Sequence, residues 1–163
     1  MKHSPQRMPF KVDEGAGHRA RLGLLILESD QSIEEEFRIL TGIEGVSTYH
    51  SRLANDTIIT PESLSKMEQQ IPSAAKLFPD YLDLQVIGYG CTSGSTVIGE
   101  KKVANIIGNI HPGVSVTNPL TAAKEALKVL NIRRLGLVTP YSPNVTESME
   151  ENFKQAGFNV IAV

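Results

Sequence analysis

Sulfur and aromatic rings are scarce in this chain. One of its 163 residues is cysteine, none is tryptophan, and the aromatic share is 6%. A single thiol can neither close an internal disulfide nor furnish a cysteine-rich zinc cage, so the chain reads as a reduced, cytoplasmic protein. Neither sign of charge dominates. Sixteen basic residues face 18 acidic ones, for a net charge of −2, which gives no electrostatic reason to expect nucleic acid or an anionic membrane as partner. No stretch reaches the roughly 18 continuous apolar residues of a membrane span. The opening MKHSPQRMPFKVDEGAGHRAR has no apolar core of a secretory signal. Residues 1–20 therefore read as a flexible arm and 21–163 as one domain, whose 40% apolar share suffices to bury a core.

Short apolar runs alternate with amphipathic stretches, the pattern of a parallel sheet covered by helices. LGLLIL at 22–27 is continuously apolar apart from its glycine, as suits a strand buried on both faces. Further strands are expected at GVSTYHSRL, LQVIGYG, GVSVT, RLGLVTP and FNVIAV. Helices are expected at SIEEEFRIL, from Thr60 to about Phe78, at LTAAKEALKVL and at NVTESMEENFKQAG. Thr60-Pro61, Asn118-Pro119 and Ser142-Pro143 share one helix-start grammar, a capping side chain followed by proline at the first helical position. The fold class is α/β: a three-layer, doubly wound, mainly parallel sheet with helices on both faces, Rossmann-like or flavodoxin-like.

Ligands of such sheets gather at the carboxyl ends of the strands. The residues placed there are Glu28-Ser29-Asp30, His50-Ser51-Arg52, Cys91-Thr92-Ser93, Thr117-Asn118 and Thr139-Pro140-Tyr141-Ser142. Cys91 stands where a strand gives way to a helix start, and helix N-termini lower a thiol's pKa. The glycines of GYGCTSGS permit a tight turn, and the hydroxyls of Thr92 and Ser93 with nearby amides could hold a carboxylate. That pattern suits a nucleophile in an oxyanion cradle. A free cysteine is also often a small buried hydrophobe, and Thr or Ser at a helix start a simple cap; the residues alone leave both readings open. Tyr141 either offers its phenol to a carboxylate or packs by its ring. Asp30 binds a ligand amine or acts as a base, against the commoner role of a turn or helix-entry residue. His50 and His111 have no metal-binding partner at helical spacing, His111-Pro112-Gly113 reads as a turn, and no metal site is expected. GYGCTSGS lacks the lysine and glycine spacing of a phosphate loop.

Taken in order, RLGLLILESDQSIEEEF, GVSTYHSRL, YGCTSGS, NPLTAAKEAL and RRLGLVTPYSPNVTESMEENFKQAGFNVIAV resemble the amino-terminal lobe of the maleate cis–trans isomerase and arylmalonate decarboxylase group of the aspartate/glutamate racemase superfamily. The resemblance implies a cofactor-independent enzyme, without metal, acting on a small carboxylic acid between two similar lobes. In the isomerases the cysteine matching Cys91 adds to maleate as a covalent succinyl adduct, and Thr92, Ser93 and Tyr141 match residues that bind a substrate carboxylate. Racemase-like or decarboxylase-like chemistry is the alternative, and a non-catalytic half-domain binding a small acid or a partner protein is another. Asp30 falls in a Ser-Asp-Gln run where the isomerases typically carry Ser-Asn-Thr, so it would repel a dicarboxylate there. The second lobe and its cysteine are absent from the sequence, which leads to the expectation of a homo-oligomer or of a missing second lobe to complete the pocket.

Overall fold

The computed structural model describes residues 5–56 and 58–163. Among the described residues, six strands and seven α-helices follow in the order β1 (Ala20–Leu27), α1 (Ile33–Leu40), β2 (Val46–Leu53), α2 (Pro61–Met67), α3 (Ile71–Ala75), β3 (Val86–Tyr89), α4 (Thr92–Ile98), α5 (Glu100–Ile110), β4 (Ser115–Thr117), α6 (Pro119–Val129), β5 (Arg134–Gly136), α7 (Pro143–Gln155) and β6 (Asn159–Ala162). The first four strands form a parallel sheet in the order β2-β1-β3-β4. The chain thus winds one way from β1 to β2 and the other way from β1 to β3 and β4, which puts the switch point between β1 and β3.

The apolar run of β1 behaves as its composition predicts. Leu24, Leu25 and Ile26 are 2%, 0% and 0% exposed, so side chains on both faces of the strand are covered. Leu25, Ile87 and Tyr89 pack with Leu64, Ile71, Phe78, Val103 and Ile107 in the main core. A second cluster of Leu120, Met149, Phe153 and Phe158 joins α6 and α7.

Four expectations need correction. The single helix expected over residues 60–78 is broken: α2 passes through a 3-10 turn at Glu68–Gln70 into α3. Pro72 explains it, because proline has no N–H to return to residue 68 and its ring crowds that carbonyl. The run expected as a strand over 134–140 pairs only through Arg134–Gly136, and with β6 it makes a separate two-stranded parallel sheet whose register slips between Leu135 and Gly136. The strand expected over 113–117 starts at Ser115, because His111-Pro112-Gly113 does form a turn, closed by Val114 N–H donating to His111 O at 3.2 Å with Gly113 at φ +86°. Of the three helix starts, Thr60 and Asn118 cap as expected, accepting from Ser63 N–H at 3.1 Å and Thr121 N–H at 3.0 Å. Ser142 makes no side-chain cap.

Glu100, the first residue of α5, accepts from Lys124 Nζ and, at 2.5 Å, from Thr121 Oγ1 of α6. The Lys124 and Glu100 side chains are 12% and 19% exposed. Burial alone would raise the Glu100 carboxyl, but the donors from Lys124 and Thr121 outweigh it and hold the group below its ordinary 4.5. A depressed carboxylate stabilises the fold above the unfolded-state pKa and ceases to do so as pH falls through the folded-state value. Lys124→Met is therefore expected to cost about 1–2 kcal/mol at neutral pH, allowing for residual solvent contact. Urea melts should show the gap from wild type closing once Glu100 is protonated.

Candidate active site

Strand β3 ends where Gly90 lets the backbone press against its neighbour. A Cβ on Gly90 would lie 2.8 Å from Ile33 Cδ1 and 3.2 Å from Leu25 O. Gly90 N–H donates to Leu25 O at 2.7 Å, extending the β1–β3 ladder to the last residue before the thiol. Cys91 then adopts an extended conformation as the N-cap of α4. Its sulfur accepts the Gly94 N–H at 3.2 Å and lies 3.7 Å from Ser93 Oγ, while its carbonyl accepts from Ser95 Oγ at 2.6 Å. The helix start thus holds the sulfur by sequence-local contacts.

The expectation of a thiol acidified by its helix N-terminus is reversed in the resting protein. Cys91 is 5% exposed. Burial pushes its pKa above the ordinary value; the Gly94 N–H and the Ser93 hydroxyl oppose this without overcoming it, the Tyr89 hydroxyl lies near enough to favour the thiolate although it makes no hydrogen bond to the neutral thiol, and the negative charge of Asp30 adds to the rise. A seven-residue helix and one N–H do not compensate the loss of water around a charge.

The sulfur nonetheless opens onto a cavity. A pocket of about 260 Å³ is lined by Cys91 together with Leu27, Ser29, Asn55, Asp56, Ile59, Ser63, Leu64 and Met67. Leu27 ends β1, Asn55 and Asp56 follow β2, and Cys91 follows β3, so the pocket stands at the carboxyl ends of three adjacent strands, beside the switch point. Its rim is pinned. Ser29 donates through both N–H and Oγ to Asn55 Oδ1, at 3.3 and 3.0 Å, and Arg52 Nη1 donates to the carbonyls of Leu27, Glu28 and Asp30 at 3.0–3.2 Å. Leu27, Ile59, Leu64 and Met67 give it an apolar wall, and among the described residues none of the lining side chains is basic. A depression of about 390 Å³ at the other end of the sheet, lined by Asp80, Asp83, His111 and Pro112, carries no nucleophile, and His111 Nε2 is engaged with Ala75 O at 2.9 Å.

The residues singled out in the sequence are divided by the fold. Ser93 is buried beside the sulfur. Thr92 is half-buried at the first position of α4, and its carbonyl accepts from Thr96 Oγ1 at 2.9 Å. Asp30 takes the role of helix-entry residue: its Oδ1 accepts from Ser32 and Ile33 N–H, both at 2.9 Å, at the start of α1. Tyr141 lines a different depression, with Leu137, Thr139, Pro143 and Val163, and does not border the Cys91 pocket. Among the described residues, no three His, Cys, Asp or Glu side chains converge as metal ligands would. No helix among the described residues is long and apolar enough to cross a membrane. Sequence reasoning missed Asn55, Ile59, Ser63 and Met67, whose loop and helix become neighbours of Cys91 only through the β1–β2 pairing. It also missed Tyr89, which reads as an ordinary strand aromatic.

The fold and pocket can be set beside known proteins. No protein-family model matches the chain. A maleate isomerase of Pseudomonas putida is 24% identical over 152 residues, covering 86% of this chain and 60% of that protein. The crystal structure of the maleate isomerase Iso from Pseudomonas putida S16 superposes with a TM-score of 0.74 at 20% identity, over 88% of this chain and 62% of that one. A Nocardia farcinica maleate cis–trans isomerase, a cysteine-to-serine mutant with a covalently bound succinylcysteine intermediate, gives 0.69 at 26% identity over 88% and 62%. A liganded mutant of arylmalonate decarboxylase gives 0.70 at 17% over 86% and 59%. The chain resembles the maleate isomerase and arylmalonate decarboxylase group. It spans about 60% of the length of the curated relative, a partial match that fits one amino-terminal lobe. The α/β fold with a parallel four-stranded sheet is that of the maleate isomerase structures.

Proposed function

We propose that the Cys91 pocket is one wall of a cofactor-independent active site for a small carboxylic acid, at which the sulfur bonds to an activated carbon of the substrate. The observation that carries this reading is the placement of the chain's one thiol: it borders a cavity at the carboxyl ends of three strands, with an N–H already directed at the sulfur and a hydroxyl beside it. The succinylcysteine described for the Nocardia farcinica enzyme supports the same chemistry here. Sulfur would bond to one alkene carbon of maleate while the π pair moves to the other carbon, which takes up one proton, matching the one lost by the thiol. The adduct has a single bond in place of the double bond and turns about it. Loss of that proton and cleavage of the C–S bond then return the thiol and release fumarate. The developing enolate-like charge would fall near the first amides of α4, which precede any intrahelical acceptor. The opposite wall would come from a second lobe or a second copy of the chain.

Two features favour a second reading, a decarboxylase-like or racemase-like reaction in which the thiol delivers a proton to a carbanion-like centre. The raised pKa keeps Cys91 protonated at neutral pH, as a general acid requires. The aliphatic wall of Leu27, Ile59, Leu64 and Met67 also suits an acid with an apolar arm better than a compact dicarboxylate. Proton NMR of the chain incubated with maleate, and separately with an arylmalonate, decides between them. Fumarate from the first supports isomerisation, and an arylacetate from the second supports decarboxylation. Turnover of neither acid would defeat both and leave a binding domain.

A further inference from the structure

We propose that Tyr89 is a hydrogen-bond donor held in reserve for the sulfur of Cys91, a positioning residue that completes the donor set of the thiolate. Tyr89 is wholly buried on β3, two residues before the thiol, and its hydroxyl has no hydrogen-bond partner among the described residues. Buried hydroxyls are nearly always paired, so an unpaired one calls for a partner that arises in another state. Gly94 shows where that partner is. A Cβ built on Gly94 would lie 2.5 Å from Tyr89 Oη and 3.0 Å from Cys91 Sγ, so phenol oxygen and sulfur converge on one methyl-sized space. A neutral thiol is a weak acceptor, whereas a thiolate attracts donors strongly. Gly94 N–H and Ser93 Oγ supply two such donors from α4, and Tyr89 would supply a third from the sheet.

The charged groups nearest this sulfur are acidic, Asp30 from the β1–α1 loop, whose charge opposes the thiolate, and Asp56 from the β2–α2 loop, which lines the pocket, while Arg52 at the rim is engaged by the carbonyls of Leu27, Glu28 and Asp30 and by Glu34. With no basic side chain among the described residues of the pocket wall, neutral donors are what remain to stabilise negative sulfur. Tyr89 is suited to donate, since burial and then the nearby sulfur charge push its own ionisation upward and keep the phenol protonated.

This inference rests on the reading of Cys91 as a reacting sulfur, yet its test needs no turnover. Because the chain has one cysteine, mass-detected alkylation by iodoacetamide over a pH series reports Cys91 alone. Tyr89→Phe is expected to move the midpoint of the pH–rate profile upward by about one unit, slowing alkylation about tenfold below the midpoint. Its melting temperature should be equal to or above that of wild type, since only an unpaired hydroxyl is removed. Fluorotyrosine incorporated in place of tyrosine, a stronger donor on the same ring, is expected to move the midpoint downward, and it serves if Tyr89→Phe fails to fold. A Tyr89→Phe profile superimposed on wild type, or a fluorotyrosine profile that does not move, overturns the proposal. A shifted profile in a chain that turns over neither acid would reject the enzyme reading and keep the donor; turnover with unshifted profiles would do the reverse.

Discussion

Cys91→Ser is expected to reduce turnover of the acid substrate by about three orders of magnitude or more, the range seen when a covalent nucleophile is removed. The fold should tolerate the change. Serine is a favoured N-cap, and its Oγ can take over the Gly94 N–H that the sulfur now accepts, which offsets the cost of burying a hydroxyl. Loss of activity without loss of melting temperature therefore isolates the chemistry of sulfur. The pH dependence of the wild-type rate adds a second discriminator. With the thiol held above its ordinary value near 9, a reaction that needs thiolate should accelerate about tenfold per pH unit up to the thiol pKa. A reaction that needs the protonated thiol should instead be flat through neutrality and fall above that pKa. The same displacement has a stability consequence of fixed sign. A thiol whose folded pKa is raised gives its full contribution below the unfolded-state value and loses it as pH rises from there through the folded value. Wild type should lose stability in that alkaline window more steeply than Cys91→Ser.

The sequence made the sheet and the location of the thiol legible for physical reasons that are local. An apolar run such as Leu24–Leu27 of β1 favours burial on both faces, and a Gly-Tyr-Gly-Cys junction favours a strand leading into a turn. Capping chemistry at Thr60 and Asn118 is likewise contained within four residues. What was not legible depends on contacts between distant segments or on small energetic balances. The break between α2 and α3 was signalled by Pro72, whose effect was masked by the amphipathic pattern on either side. The splitting of β5 and β6 from the main sheet follows from pairings that no short window contains. Asn55, Ser63 and Met67 enter the pocket because β2 lies beside β1, which composition does not disclose. The reversal at Cys91 is of the other kind: the helix N-terminus favours the thiolate, as the sequence suggests, but burial outweighs it, and burial is known only once the chain has folded. Tyr141 shows the limit of reasoning from strand ends, since its strand is not part of the sheet that carries the thiol.

Gly94→Ala is expected to destabilise the protein by about 2 kcal/mol and to slow alkylation of Cys91 by about tenfold, an overpacking effect concentrated on the sulfur. Helix propensity predicts the opposite, because alanine within a helix is favoured over glycine by about 1 kcal/mol. Geometry decides between them. The added Cβ would meet Tyr89 Oη at 2.5 Å, Cys91 Sγ at 3.0 Å and Tyr89 Cε1 at 3.3 Å. The tyrosine ring belongs to the main core and cannot swing aside, so the first turn of α4 must move instead. That movement would break the 3.2 Å contact from Gly94 N–H to the sulfur and disturb the approach of Ser93. Gly108 supplies the internal comparison. It lies within α5, and a Cβ there would meet nothing within 4 Å, so Gly108→Ala should raise stability by up to about 1 kcal/mol through propensity alone. Urea melts and alkylation rates on the two variants thus separate a general preference for alanine from a specific requirement for empty space. If Gly94→Ala proved as stable and as reactive as Gly108→Ala, the close convergence of phenol, sulfur and helix amide at this site would be ruled out.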